Sequence, residues 1–323
     1  MNDKFLGFNG FIWFVGVVEA RNDPTYTGRL KVRALGHHTG DKTILPTADL
    51  PWSMVVLPVT SAGISGVGFS PAALVEGSWV YGYFRDGENC QEPMVMGSIP
   101  GYPLELADSS KGFNDPNGVY PKYKNEVDTN RLAVNDEKKE HTSLTTRKAD
   151  RELNLNIPTA DFDEVTAADG STIIASDSDT WSQPTIPYSA VYPYNHVFES
   201  EQGHIKEYDD SWEYDEYTGQ YHYYTRIHER HKSGTGYEID NSGNIVKKVV
   251  ASSYELIDAD HYVNIKQDSD ITINGRHKIF INKDGFENNH YDIHVGANAN
   301  INIQVDTGDI NMVTKGGRIN VNA

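Results

Sequence analysis

The chain has 323 residues, 38% of them hydrophobic, and its 46 acidic against 28 basic side chains leave a formal charge of -18. That charge disfavours long-range attraction to nucleic acid or to an anionic membrane surface, and the low apolar share argues against one large core. A lone cysteine, Cys90, excludes an internal disulfide framework and a zinc site built on paired thiolates, and reads as a small buried hydrophobe.

Tyr is abundant at 19 residues, and Asn and Asp recur between β-branched residues, so strands and turns are expected rather than helices. The longest apolar run, "FIWFVGVV" from Phe11 to Val18, is too short to span a bilayer. It has neither a charged leader nor a small-residue cleavage site, so it is read as a buried strand of a protein assembled in the cytoplasm. "RNDPTYTG" then supplies turn chemistry. "RLKVRAL" sets Leu30, Val32 and Ala34 on one face and Arg29, Lys31 and Arg33 on the other, a half-buried hairpin whose cations are expected to be solvated or to meet a protein. With nearby Tyr26 they also have the residue types of a nucleic-acid face, which the global charge opposes. "GISGVG", Gly63 to Gly68, lacks the Lys-Ser/Thr of a phosphate cradle and is read as a turn. Further strands are predicted in "WSMVVLPV", "SWVYGYF" and "PMVMGSI". About five strands within residues 1–123 match the size of an OB-like Greek-key barrel.

Residues 124–187 change character. "NDEKKEHTSLTTRKADRELNL" is charged and able to hold one short helix, and the following stretch is acidic, Ser/Thr-rich and poor in core residues, as in an extended linker that wraps the next domain. Its Asp161, Asp163 and Glu164 invite comparison with a glycosidase pair, which needs two carboxyls roughly 5 to 9.5 Å apart with one in an apolar pocket. Such a stretch builds no pocket of that kind, so no catalytic residue is assigned. Residues 188–250 read as a junction containing a β-hairpin. There "HERH", His228 to His231, falls short of the metalloprotease motif, because its histidines are three apart in a strand and point to opposite faces.

From 251 to 323 the pairs Val263/Ile265, Ile271/Ile273, Ile279/Ile281, Ile293/Val295, Ile301/Ile303, Ile310/Met312 and Ile319/Val321 recur at spacings of 8, 8, 14, 8, 9 and 9. One such unit holds a strand and a turn and offers only a narrow apolar ribbon. Every strand has the same pattern, which favours closure by three identical chains over a single-chain coil. Fully burying an Ile or Val is worth roughly 1.5 to 3 kcal/mol, and the pairs place 14 side chains per chain along the axis. Asn264, Thr272, Asn302, Asn311 and Asn320 then face outward. His294 sits between two inward residues and is read as outward, so no metal or cofactor is assigned.

"WFVGVVEARNDPTYTGRLKVRALGHH", "ILPTADLPWSMVVLPVTSAGISGVGFSPAALVEGSWVYGYFRDG" and "GFNDPNGVYPKYKNEVDTN" together resemble the N-terminal OB-fold domain of the baseplate hub and central spike proteins of T-even-like contractile-tailed phages. "YPYNHVFESEQGHIKEYDD" and "RIHERHKSGTGYEIDNSGNIV" resemble the junction at which those spikes, and the valine-glycine repeat spikes of type VI secretion, enter a triple-stranded β-helix. The resemblance implies an all-β fold: an OB barrel, an extended linker and an intertwined triple-stranded β-helix in a homotrimer. It also implies a seat on a baseplate hub protein through the OB domain, a place in the virion's tail, and transient contact with the host envelope. Two departures stand out. The 64 residues of 124–187 are too few for the lysozyme domain that T-even spikes carry, and "DDSWEYDEYTGQYHYYTR" lengthens a short family turn into a Tyr-rich hairpin. The expected function is a non-enzymatic central spike that pierces the envelope on tail contraction. The alternatives are a type VI secretion spike and a peptidoglycan hydrolase. An apolar Val321 near the last layer leaves the core open, which calls for a PAAR-repeat tip protein or a fold-back cap.

Overall fold

The computed structural model describes residues 10–135, 157–158, 163–174, 180–182, 184–281, 285 and 290–321. The chain divides into two compact units, the first ending at Asn135 and the second beginning at Asp136.

In the first unit β1 (Ile12–Ala20), β2 (Leu30–Ala34), β3 (Trp52–Val55), β4 (Trp79–Phe84) and β5 (Pro93–Ser98) close into a barrel in the order β1-β2-β3-β5-β4. Neighbours are antiparallel except β3 and β5, which run parallel. All five strands fall on the runs picked out by alternation, and the connectivity is that of an OB fold. Phe14, Val18, Leu30, Val32, Ala34, Val80, Phe84 and Val95 fill the interior. Gly82 marks a bulge against β5, where a Cβ would overlap the Met94 carbonyl oxygen. Asp23 closes the β1–β2 turn by accepting from the backbone N–H groups of Thr25 and Thr27 and from Arg29, whose hydrogen bond holds the Asp23 carboxyl well below the usual range. "GISGVG" forms a turn in the β3–β4 connection, bridged between Ile64 and Val67.

The expectation for Arg33 is overturned. Its side chain is 0% exposed and meets Glu19 through two bonds, Nε to Oε1 at 2.7 Å and Nη2 to Oε2 at 3.0 Å. The carbonyls of Thr39 and Leu45 accept from the same guanidinium, and Thr47 donates to Glu19. The strand alternation is as expected. The β2–β3 connection, however, folds across that face and supplies the acceptors a buried cation needs. Arg29 pairs with Asp23 at 2.7 Å, and Lys31 lies 5.0 Å from the Trp52 ring and donates to the Ala48 carbonyl. All three cations are therefore engaged within the domain. Cys90 is half-buried against the barrel core, where burial pushes its thiol up.

A single helical turn, α1 (Arg131–Val134), ends the first unit, capped by the Asn130 side chain, which accepts from Leu132 N–H. The helix expected within 135–155 lies outside the described residues, Asn135 apart. The stretch read as a linker carries two small ladders, β6 (Ile157–Pro158) with β9 (Thr180–Trp181), and β7 (Val165–Thr166) with β8 (Thr172–Ile174). The second unit centres on an antiparallel sheet, β10 (Asn195–Glu199), β11 (Ile205–Asp209), β14 (Arg226–Arg230), β15 (Gly236–Ile239) and β16 (Ile245–Lys248), in the order β10-β11-β14-β15-β16. A separate hairpin, β12 (Trp212–Asp215) with β13 (Gln220–Tyr223), rises between β11 and β14. This is the predicted Tyr-rich hairpin.

Candidate assembly surface

The five-stranded sheet has an unusual division of its faces. In β11 the buried positions are Ile205, Glu207 and Asp209, and the exposed ones are Lys206 and Tyr208. Register carries the buried set across the sheet: Asp209 opposes Asn195 and Arg226, and Glu207 opposes His228, which in turn opposes Glu238. Arg226 donates to Glu207 at 2.9 Å and to Glu238 at 3.1 Å, lies 3.8 Å from Asp209, and has its guanidinium 4.6 Å from the Tyr188 ring. His228 Nδ1 lies 2.6 Å from Glu207 Oε2, and Asn195 Nδ2 donates to Glu207 Oε1. Burial alone raises the Glu207 carboxyl. The His228 hydrogen bond and the Arg226 charge outweigh it and bring the value down to about 2. Charges thus hold this face together, a role that the sequence pattern did not disclose.

The opposite face is open and mixed. One row across it, Phe198, Lys206, Glu229, Tyr237 and Lys247, holds the Lys206–Glu229 ion pair at 2.7 Å. The other row, His196, Tyr208, Ile227, Ile239 and Ile245, is largely apolar, and Tyr208, Ile227 and Ile245 in it are exposed. In an antiparallel sheet the apolar side chains are the ones that pack. Here that row faces outward.

Beyond β16 the apolar surplus grows, in side chains expected to be covered only where three chains meet. Val263, Ile265, Ile271, Ile273, Ile279 and Ile281 were predicted to point into a core, and all six are exposed. The same holds downstream for Ile293, Val295, Ile301, Ile303, Ile310, Met312, Ile319 and Val321, with fractions running from 38% at Val295 to 88% at Val321. The physical reason lies in the length of the unit: each pair, Ile310 and Met312 for example, forms one narrow ribbon and meets no facing ribbon among the described residues of its own chain. Among the described residues no strand forms between 251 and 321. A coil made by one chain would pair its own strands and cover these side chains, and neither is seen. Within 251–321 Gln304 is the single described residue that is not exposed. Its amide accepts from Asp163 N–H at 3.1 Å and donates to Asp163 Oδ2 at 3.0 Å. Gln304 lies out of phase with Ile301 and Ile303, on the side where Asn302 stands.

Of the acidic trio considered for glycoside chemistry, Asp163 and Glu164 are exposed, and Asp163 is engaged by Gln304. Asp161 lies outside the described residues. His228 belongs to β14 and bonds to Glu207, whereas His231 follows the strand, is exposed and contacts Ser233, so the two histidines serve different surroundings. His294 is exposed between Ile293 and Val295.

The family of Gp5 N-terminal OB domains matches residues 34–172. A protein named "Protein Gp5" from Vibrio phage KVP40 is 36% identical over 289 residues, 84% of this chain and 65% of that protein. The "Pre-baseplate central spike protein Gp5" of Enterobacteria phage T4 is 44% identical over 119 residues, 35% of this chain and 20% of that protein. The chain therefore spans less than two thirds of either relative. Residues 34–172 are thus similar to the Gp5 N-terminal OB domain, and 84% of the chain is similar to a phage protein named Gp5.

Proposed function

We propose that the chain is a non-enzymatic, trimeric central spike of a contractile phage tail. It sits in the virion's baseplate, is held to a hub protein through its OB barrel, and pierces the host envelope when the tail contracts. The observation that carries this reading is the fourteen-residue apolar repeat left exposed by its own chain. Exposed side chains of this number, at one phase, need a cover, and three like chains around an axis supply one for every layer. Each inward residue is then locked by two symmetry mates, which makes the assembly stiff in compression. The outward row of the five-stranded sheet, which ends in Ile245 just ahead of residue 251, extends the same contact upstream.

A PAAR-repeat tip protein would close the layer at Val321. The sequence similarity to phage proteins favours the tail over a type VI secretion spike. Substituting Ile301 and Ile303 together by Asp tests the proposal: six charges would enter one stretch of the axis, and the purified double variant is expected to run as a folded monomer on size exclusion. A double variant that associates as the parent does would remove the axial role of the repeat. Peptidoglycan zymograms of the parent and of Glu164→Gln are expected to show no clearing. Clearing by the parent that the substitution abolishes would restore the hydrolase alternative.

A further inference from the structure

The β12–β13 hairpin has no place in the axial packing proposed above. We propose that it is a docking element for a second protein, one that presents arginine side chains to it. Register pairs Trp212 with Tyr223 and Tyr214 with Tyr221, so four rings share one face. They run on without a gap: Trp212 to Tyr221 at 5.4 Å, Tyr214 to Tyr221 at 5.0 Å and Tyr221 to Tyr223 at 6.4 Å between centroids. Tyr214, Tyr221 and Tyr223 are about half exposed. A free two-stranded hairpin is marginal in water, and an open ring face on one is a surface awaiting cover. Tyr and Trp anchors with little side-chain entropy to lose are what protein interfaces concentrate at their centres.

Charge decides the occupant. From Asp210 to Thr225 the chain has four carboxylates and no Lys or Arg. Asp210 at the base, Glu216 at the tip and Glu213 on the reverse face of the hairpin stand exposed. A second copy of the hairpin would bring the same charges face to face, and anionic lipid or lipopolysaccharide would meet the same repulsion. The four rings are tilted to one another by 62° and 50° at two contacts and by 30° between Tyr221 and Tyr223, so together they make no single flat platform for a sugar chain. Guanidinium groups suit both features, since they lie over aromatic faces and pair with carboxylates at the rim.

The hairpin meets the rest of its unit through Trp212, 5.5 Å from the Tyr194 ring, and through Asn241, which donates to the Tyr223 carbonyl. Tyr224 N–H donates to the Ser211 carbonyl at 2.8 Å, closing its base, so Ser211 and Tyr224 can be rejoined through Asn-Gly. The test titrates the full chain by calorimetry with an octapeptide of alternating Arg and Ser, with its citrulline counterpart, and with an N-acetylglucosamine oligomer. The Arg peptide is expected to bind, and to bind about tenfold more weakly after excision, with the circular dichroism of the remaining strands retained. The triple substitution Tyr214→Ser, Tyr221→Ser and Tyr223→Ser keeps every carboxylate and is expected to lose as much, which separates ring contact from bulk charge. The proposal is overturned if the triple variant binds like the parent, if the citrulline peptide binds as tightly, if no peptide binds, or if the oligosaccharide binds the hairpin instead. None of these outcomes depends on the number of chains in the assembly.

Discussion

Arg33 and Glu19 form an ion pair wholly removed from water between the outer face of the barrel and the β2–β3 connection. Such a pair adds little net stability against an apolar replacement, yet losing one partner leaves a bare buried charge. Arg33→Met is therefore expected to destabilise the OB domain by about 3 to 5 kcal/mol in urea unfolding, as is Glu19→Gln, while the double variant recovers part of the loss. Gly82→Ala is expected to cost about 2 kcal/mol or more, because the added methyl meets the Met94 carbonyl in a paired strand. Glu207 gives the second unit a pH dependence of definite sign. Folding lowers its carboxyl from 4.5 to about 2, so the ionised form favours the folded sheet. That contribution, on the order of 3 kcal/mol, is complete above pH 4.5 and is lost as the pH falls towards 2. Thermal melts in steps across this window should show the midpoint dropping, and Glu207→Gln should flatten the curve. A parent curve level down to pH 2 would show that the His228 and Arg226 contacts do not hold the carboxylate as described.

At the scale of elements, the barrel strands were legible because alternation, turn residues and length all agreed. Leu30, Val32 and Ala34 lie inside as the pattern requires. What alternation could not tell was whether the other face meets water, and at Arg33 a long connection covers it. The five-stranded sheet reverses the usual rule in the same way. "IKEYD" alternates cleanly, but its buried phase is the one holding Glu207 and Asp209, because a guanidinium on β14 and an imidazole beside it neutralise that phase. Pattern alone could not choose between the phases without knowing that Arg226 and His228 would arrive in register. The outward row of Tyr208, Ile227 and Ile245 carries its own expectation. Ile227→Asp combined with Ile245→Asp should leave the circular dichroism of the chain unchanged yet weaken its self-association by tenfold or more in sedimentation equilibrium. Unaltered association would confine the contact between chains to the repeat.

At the scale of the whole molecule, the repeat read from Val263 to Val321 is a statement about partners as much as about fold. Its period could be seen in one chain, but its cover could not: Ile265, Ile273, Ile281 and Met312 stay exposed in a single copy, and in the proposed trimer the side chains that complete their layers belong to other copies. The Tyr-rich hairpin shows the opposite limit: sequence located it as a departure from the family, and only the register of Trp212 with Tyr223 revealed a single aromatic face. The most direct test of the account is the mass of the purified 323-residue chain in dilute solution, measured by light scattering across a concentration range of about a hundredfold. Three chains held by axial burial should give a mass three times 36.1 kDa that does not fall on dilution. A particle of 36.1 kDa, with its Ile and Val side chains open to solvent, would contradict it.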